Sequence, residues 1–163
     1  MPRELIERFA SGPAQLRAAC AGLTPQELQA RPGPGQWSIH EVVVHVADMD
    51  AIAIDRMKRI IAEDNPTLLS ADETAYAQRL MYHEQSLEDA LALIEVGRRQ
   101  FARVLRQLPR ESFDRFGTHN VAGRVTLSEL VQSYADHLEH HLGFILQKRE
   151  RLGKPISSAA QGR

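Results

Sequence analysis

Three four-residue capping patterns mark helix starts in this chain and so determine where its secondary structure begins. Each pattern has Ser or Thr at the helix N-cap and Glu three residues later, so that the two residues cap each other's backbone N–H groups. The three pairs are Thr24 with Glu27, Ser38 with Glu41, and Thr126 with Glu129. A chain with these starts is predicted to build its long elements from α-helices.

Apolar residues recur every three or four positions in four long segments, as they do along one face of an amphipathic helix. The segments cover residues 2–22, 38–62, 87–108 and 126–152. Gly12 and Pro13 interrupt the first segment and weaken the prediction of a helix there. No segment shows a convincing strand pattern, so the predicted fold class is all-α, as a four-helix bundle.

The segments between these helices contain helix breakers and weaker patterns. Residues 31–36 form a cluster of Pro and Gly that predicts a loop, and Asn65-Pro66 ends the second long helix. A short helix is predicted from Ser70 to Leu80. We expect an irregular loop with a hairpin-like bend over residues 111–124.

The chain has 163 residues, a length typical of one domain with its own core. We assign that domain to residues 1–155. The remaining residues, 156–163, are small or polar, and they predict a disordered tail.

Composition excludes several classes of function. The formal net charge is -1, which gives no basic field for binding nucleic acid. No run of about 18 apolar residues is present, and the N-terminus lacks a hydrophobic signal core, so we expect a cytoplasmic protein with no membrane partner. The single cysteine, Cys20, excludes an internal disulfide and a multi-cysteine metal site, and we expect it in the core.

His137 and His141 are four residues apart in the last long helix, and that spacing places two side chains on one face. Both fall on the apolar stripe, as does His45 in the second long helix. Buried imidazoles need partners. One metal ion held between the two helices would satisfy all three, and three imidazoles leave a coordination position open, as in catalytic sites. Alternatively, each histidine bonds a carbonyl or carboxylate in the core.

Other polar residues near these helices are weaker candidates. Asp48 and Glu41 lie one turn to either side of His45 and could orient it, although such carboxylates more often solvate a helix edge. Arg56 could reach an anionic group of a substrate, or form an ion pair at the helix end. The remaining four histidines are expected at the surface: His40, His83, His119 and His140.

The order of these motifs resembles that of a known family. Residues 36–48 (QWSIHEVVVHVAD) are similar to the second-helix signature of the DinB/YfiT-like superfamily, and residues 134–141 (YADHLEHH) resemble its fourth helix. The resemblance implies a DinB-like four-helix bundle with long crossover connections and frequent homodimers. It also implies a divalent ion, Ni or Zn, bound by the family's three ligand positions, here His45, His137 and His141.

The resemblance implies a metal-dependent enzyme but leaves its chemistry open. A metal with an open position activates either a low-molecular-weight thiol for S-transfer to an electrophile, in detoxification, or a water for hydrolysis. The partner would then be a small-molecule thiol or a hydrolysable substrate. No general base can be named, and only Arg56, His119 and Tyr134 stand as candidate catalytic groups. The alternative is a stress-associated bundle that binds a metal or ligand without catalysis.

Overall fold

The computed structural model describes residues 2–156 and contains six α-helices, two 3-10 helices and three short strands within that range. The α-helices are α1 (Pro2–Cys20), α2 (Pro25–Gln29), α3 (Ile39–Ala62), α4 (Glu73–Arg79), α5 (Leu87–Leu105) and α6 (Leu127–Arg151). Within residues 2–156 no helix is both long and apolar enough to cross a bilayer. The predicted tail, apart from Ile156, lies outside the described residues.

All three predicted capping boxes are present at the starts of α2, α3 and α6. At α3 the Ser38 hydroxyl accepts a hydrogen bond from the Glu41 backbone N–H at 3.1 Å, and the Glu41 carboxylate accepts one from the Ser38 N–H at 2.8 Å. These bonds satisfy N–H groups that a helix leaves without partners in its first turn. Local sequence therefore determines where the helices that carry the histidines begin.

The four long helices form the predicted bundle. Helix α1 packs against α5 and α6, and α3 packs against the same two helices. Helices α1 and α3 are thus diagonally opposite in the bundle, as are α5 and α6. The chain makes a long connection between the two helices of each diagonal pair. The contact between α3 and α6 brings His45 towards His137 and His141.

Helix α1 continues through Pro13, where the sequence predicts a weakness. Proline has no N–H to donate, so the carbonyl four residues earlier, that of Phe9, loses its helical partner. The buried Arg98 guanidinium donates a hydrogen bond to this oxygen at 3.2 Å. A tertiary contact from α5 therefore replaces the missing bond.

Gly12 allows α1 to lie close to α6. A Cβ atom at this position would be 2.9 Å from a methyl group of Leu138. The two residues that interrupt the sequence pattern of α1 are therefore accommodated by contacts with α5 and α6.

The predicted irregular region contributes two strands to a small three-stranded sheet. Strand β1 (Thr67–Leu68) pairs in parallel with β2 (Phe116–His119), which pairs antiparallel with β3 (Gly123–Thr126). The β2–β3 hairpin takes the place of the predicted bend and leads directly into α6. The sheet adds a short appendage to an otherwise helical protein, and the predicted fold class is confirmed.

Candidate metal centre

Three histidine side chains meet between α3 and α6. The Nε2 atoms of His45, His137 and His141 are each 3.1 Å from the other two. His137 and His141 occupy one face of α6, as their spacing predicts, and α3 supplies His45 from the opposite side. The structure thus brings together the three residues that the sequence singles out as metal ligands.

Hydrogen bonding within the triad cannot satisfy all three rings. Each Nε2 atom has one in-plane site, which holds either a proton or a lone pair. Three such sites that point at one place accommodate a single shared proton at most, because two N–H groups would face each other. At least two lone pairs therefore converge, and this arrangement attracts a cation.

Burial keeps the triad neutral. His45 is fully buried and His141 is 9% exposed. Loss of solvation lowers the pKa of His45 and His137 to about 4 and that of His141 to about 3, and charges on neighbouring histidines add to the effect. Neutral imidazole is the form that binds a metal.

The other ring nitrogens do not support a structural role for the histidines. The Nδ1 atoms of His45, His137 and His141 are buried, and no described residue forms a hydrogen bond with them. A core histidine retained for packing normally bonds a carbonyl or carboxylate. The alternative in which each ring has such a partner is therefore wrong for the part of the chain that the structure covers.

The donor set fits a borderline divalent ion. Three atoms 3.1 Å apart lie about 1.8 Å from their common centre, close to the zinc–nitrogen bond length of about 2.0–2.1 Å. Imidazole ligands suit Zn and Ni, as well as Cu and Fe. Ligand assignment and the choice of metal stay predictions.

A carboxylate that the sequence does not indicate lies beside the triad. The Oε2 atom of Glu73 is 4.0 Å from Nε2 of His45, and the Glu73 side chain is 55% exposed. Glu73 is the first residue of α4, whose start is capped by Asp72 through a 2.9 Å hydrogen bond from the Ala75 N–H. The capping pattern predicts the short helix, but only the packing of α4 over α3 places this carboxylate next to His45.

Aromatic side chains surround the histidines. The Trp37 ring lies 4.9 Å from the His45 ring, and the Tyr134 ring lies 5.9 Å from the His137 ring. Arg56 donates a hydrogen bond to the Tyr134 hydroxyl oxygen at 2.7 Å and another to the Leu69 carbonyl. Arg56 therefore forms no helix-end ion pair within residues 2–156, and it lies with Tyr134 at the edge of the site.

The two carboxylates of α3 that were predicted as possible partners of His45 do not orient it. Glu41 accepts hydrogen bonds from Arg31 and from the backbone at the start of α3. Asp48 makes no hydrogen bond with the triad among the described residues, and one of its oxygens is buried without a partner. Glu41 therefore caps α3 and pairs with Arg31.

The other histidines are placed differently from one another. His40 is only 7% exposed and its Nε2 atom lies 2.8 Å from the Gln85 carbonyl oxygen, so the prediction that it is exposed was wrong. The segment before α5 covers it, which a local pattern cannot show. His119 accepts hydrogen bonds at Nδ1 from the N–H groups of Val121 and Ala122 and thus supports the hairpin turn. His140 is exposed, as predicted.

Known proteins share both the fold and the sequence pattern. A probable metal-dependent hydrolase of Geobacillus thermodenitrificans is 30% identical over 152 residues, with 93% of this chain and 85% of the relative covered. One from Oceanobacillus iheyensis is 29% identical, with 87% and 82% covered. The structure of YfiT from Bacillus subtilis, described as a probable metal-dependent hydrolase with an unusual four-helix bundle topology, aligns with a TM-score of 0.87 and 25% identity. That alignment covers 93% of this chain and 87% of YfiT.

The family model of the DinB superfamily matches residues 8–145, a range that includes all three triad histidines. A match over most of the chain, together with the bundle, establishes the family. This chain belongs to the DinB superfamily.

Proposed function

We propose that the protein is a metal-dependent hydrolase of small molecules, with His45, His137 and His141 holding one Ni or Zn ion. When bound, such an ion lowers the pKa of a water or thiol and polarises a carbonyl group. The observation that carries the proposal is the convergence of three neutral imidazoles at 3.1 Å beside the carboxylate of Glu73. The names of the relatives support the same class of reaction.

In this proposal Glu73 acts as the general base. Its Oε2 atom lies 4.0 Å from His45 and its side chain is open to solvent, so it can accept a proton from the attacking water and release it. Tyr134 accepts a hydrogen bond from Arg56, and its own O–H group donates to no residue in the described range, so we assign it the role of donor to the oxyanion that forms on the substrate.

The position of Glu73 also bears on whether the reaction is hydrolysis or thiol transfer. A thiol that coordinates a metal ionises without a base, whereas water attack gains from a carboxylate that takes its proton. The carboxylate beside the triad therefore favours hydrolysis over S-transfer to an electrophile.

The test is turnover of a panel of small esters and amides by the metal-loaded protein, beside a panel of thiols with electrophiles. We expect Glu73→Gln to lower kcat for hydrolysis by about 10²–10⁴-fold, with metal content unchanged. Glu111→Gln, which alters an exposed carboxylate in the 3-10 helix before β2, is the matched control. Thiol transfer that survives Glu73→Gln would replace the hydrolase proposal, and metal binding without any turnover would support a non-catalytic binding protein.

A further inference from the structure

A cavity of about 410 Å³ opens beside His141, between the start of α3 and the second half of α6. One end is formed by a triad histidine and the other by two cationic side chains. The lining residues that matter are Trp37, Val42, His141, Phe144, Lys148 and Arg151. The cavity thus joins the candidate metal centre to a region of positive charge.

One face of α6 runs along the length of this cavity. His141, Phe144, Lys148 and Arg151 follow each other at helical spacings of three and four residues. Lys148 follows His141 by seven positions, which is about 10 Å along the helix axis. Side chains on a helix lean towards its N-terminus, so both cations lean back towards the triad.

No carboxylate among the described residues neutralises the two cations. Neither Lys148 nor Arg151 forms an ion pair within residues 2–156, and no acidic residue lines the cavity in that part of the chain. Burial lowers the pKa of Lys148, and the charge of Arg151 lowers it further, as expected for two neighbouring cations that lack a counter-charge.

The middle of the cavity is apolar. Trp37 packs against His45 on one side, and Phe144, 38% exposed, lies on the other with the Lys148 ammonium 5.9 Å from its ring centroid. An aromatic or aliphatic body would replace water between these rings, while a charged group at its end would meet the two cations.

We propose that this cavity binds a small organic anion with an apolar body, its negative group held by Lys148 and Arg151 and its opposite end directed to the histidine triad. The assignment of that opposite end as the reacting group rests on the proposed function. Binding of the anion does not, because the cations and the aromatic walls are present whether or not a metal is bound.

The experiment uses two probes that differ in charge and are poor metal ligands, 3-phenylpropane-1-sulfonate and methyl 3-phenylpropyl sulfone. Their affinities for the 163-residue protein, with and without metal, are measured by isothermal titration calorimetry. We expect the sulfonate to bind about tenfold more tightly than the sulfone in both forms, and added salt to remove most of the difference. The double variant Lys148→Gln, Arg151→Gln should abolish the preference, and Lys58→Gln, which removes an exposed cation of α3, should retain it.

Equal affinities for the two probes, or a preference that survives the double variant, would overturn the proposal. Circular dichroism establishes that each variant is folded. If the double variant unfolds, the single variant Lys148→Gln and the salt dependence of the wild type provide the same test. The binding measurements include the metal-free protein. Absence of turnover in the ester and amide panel would therefore refute only the hydrolase proposal, and the binding result would still test the anion site.

Discussion

Two clusters of buried polar side chains lie between the helices, and they differ in how completely their atoms are bonded. In the first, Arg98 on α5 donates to both carboxylate oxygens of Asp50 on α3, at 2.6 and 2.7 Å. The same guanidinium donates to the carbonyls of Phe9 and Tyr134 and stacks on the Phe9 ring. Both side chains are almost fully buried, yet every nitrogen and oxygen has a partner.

The histidine triad is less deeply buried, with His137 partly exposed, and its hydrogen bonding is incomplete. Its three Nε2 atoms face one another, and its three Nδ1 atoms have no partner among the described residues. A cluster that stabilises a core fills all its bonds, because an unpaired buried group costs free energy. The ion pair is therefore part of the architecture, while the triad carries a cost that binding of a cation would offset.

The largest expected effect comes from breaking the complete cluster. Asp50→Ala leaves the Arg98 charge buried without its partner and should lower the free energy of unfolding by about 3–5 kcal/mol. Urea denaturation measures it. Glu7→Ala, at the exposed ion pair with Arg106, is the control and should cost far less, because an ion pair in contact with water contributes little to stability. Similar losses in both variants would contradict the structural role of the buried pair.

Breaking the incomplete cluster should be seen first in metal binding. His137→Ala leaves two ligands, and we expect an affinity loss of more than about 100-fold, so that dialysed protein contains no metal where the wild type retains one ion per chain. Elemental analysis measures the content. His140→Ala, on the exposed side of the same helix, should bind as the wild type does. Full occupancy of His137→Ala would remove His137 from the ligand set.

The stability of the metal-free protein should depend on pH through the triad. The pKa values of its histidines are about 3 to 4 in the folded state, against about 6.5 when unfolded. Below pH 6.5 the unfolded state therefore binds protons that the folded state does not, and stability falls as the pH is lowered towards 4. Each imidazole contributes about 1.4 kcal/mol per pH unit at most. Chemical denaturation between pH 7 and 4 tests this, and a variant with all three histidines changed to Gln should lose that part of the slope.

The smallest effect is expected at the residue that touches both clusters. The Tyr134 carbonyl accepts from Arg98, and its ring lies beside His137. Tyr134→Phe removes the hydroxyl group and with it the hydrogen bond from Arg56. It should lower the free energy of unfolding by about 0.5–1.5 kcal/mol, with the metal content unchanged. A loss of metal in this variant would show that the two clusters are coupled through Tyr134.

The helix starts and the pairing of His137 with His141 could be predicted because both depend on neighbours in the chain. Ser38 and Glu41 cap α3 through hydrogen bonds between near neighbours in the chain. Two residues four positions apart on a helix lie on the same face. His45 as the third member followed from its position on an apolar stripe, although 92 residues separate it from His137.

Tertiary structure alone decided the remaining features. Glu73 reaches the triad because α4 packs over α3, His40 is buried because the segment before α5 covers it, and α1 continues past Pro13 because Arg98 bonds the Phe9 carbonyl. In each case the partner comes from a distant part of the chain, and its position depends on how whole helices pack. The sequence by itself determined the helices and the residues that could bind a metal, whereas packing determined which carboxylate and which cations surround them.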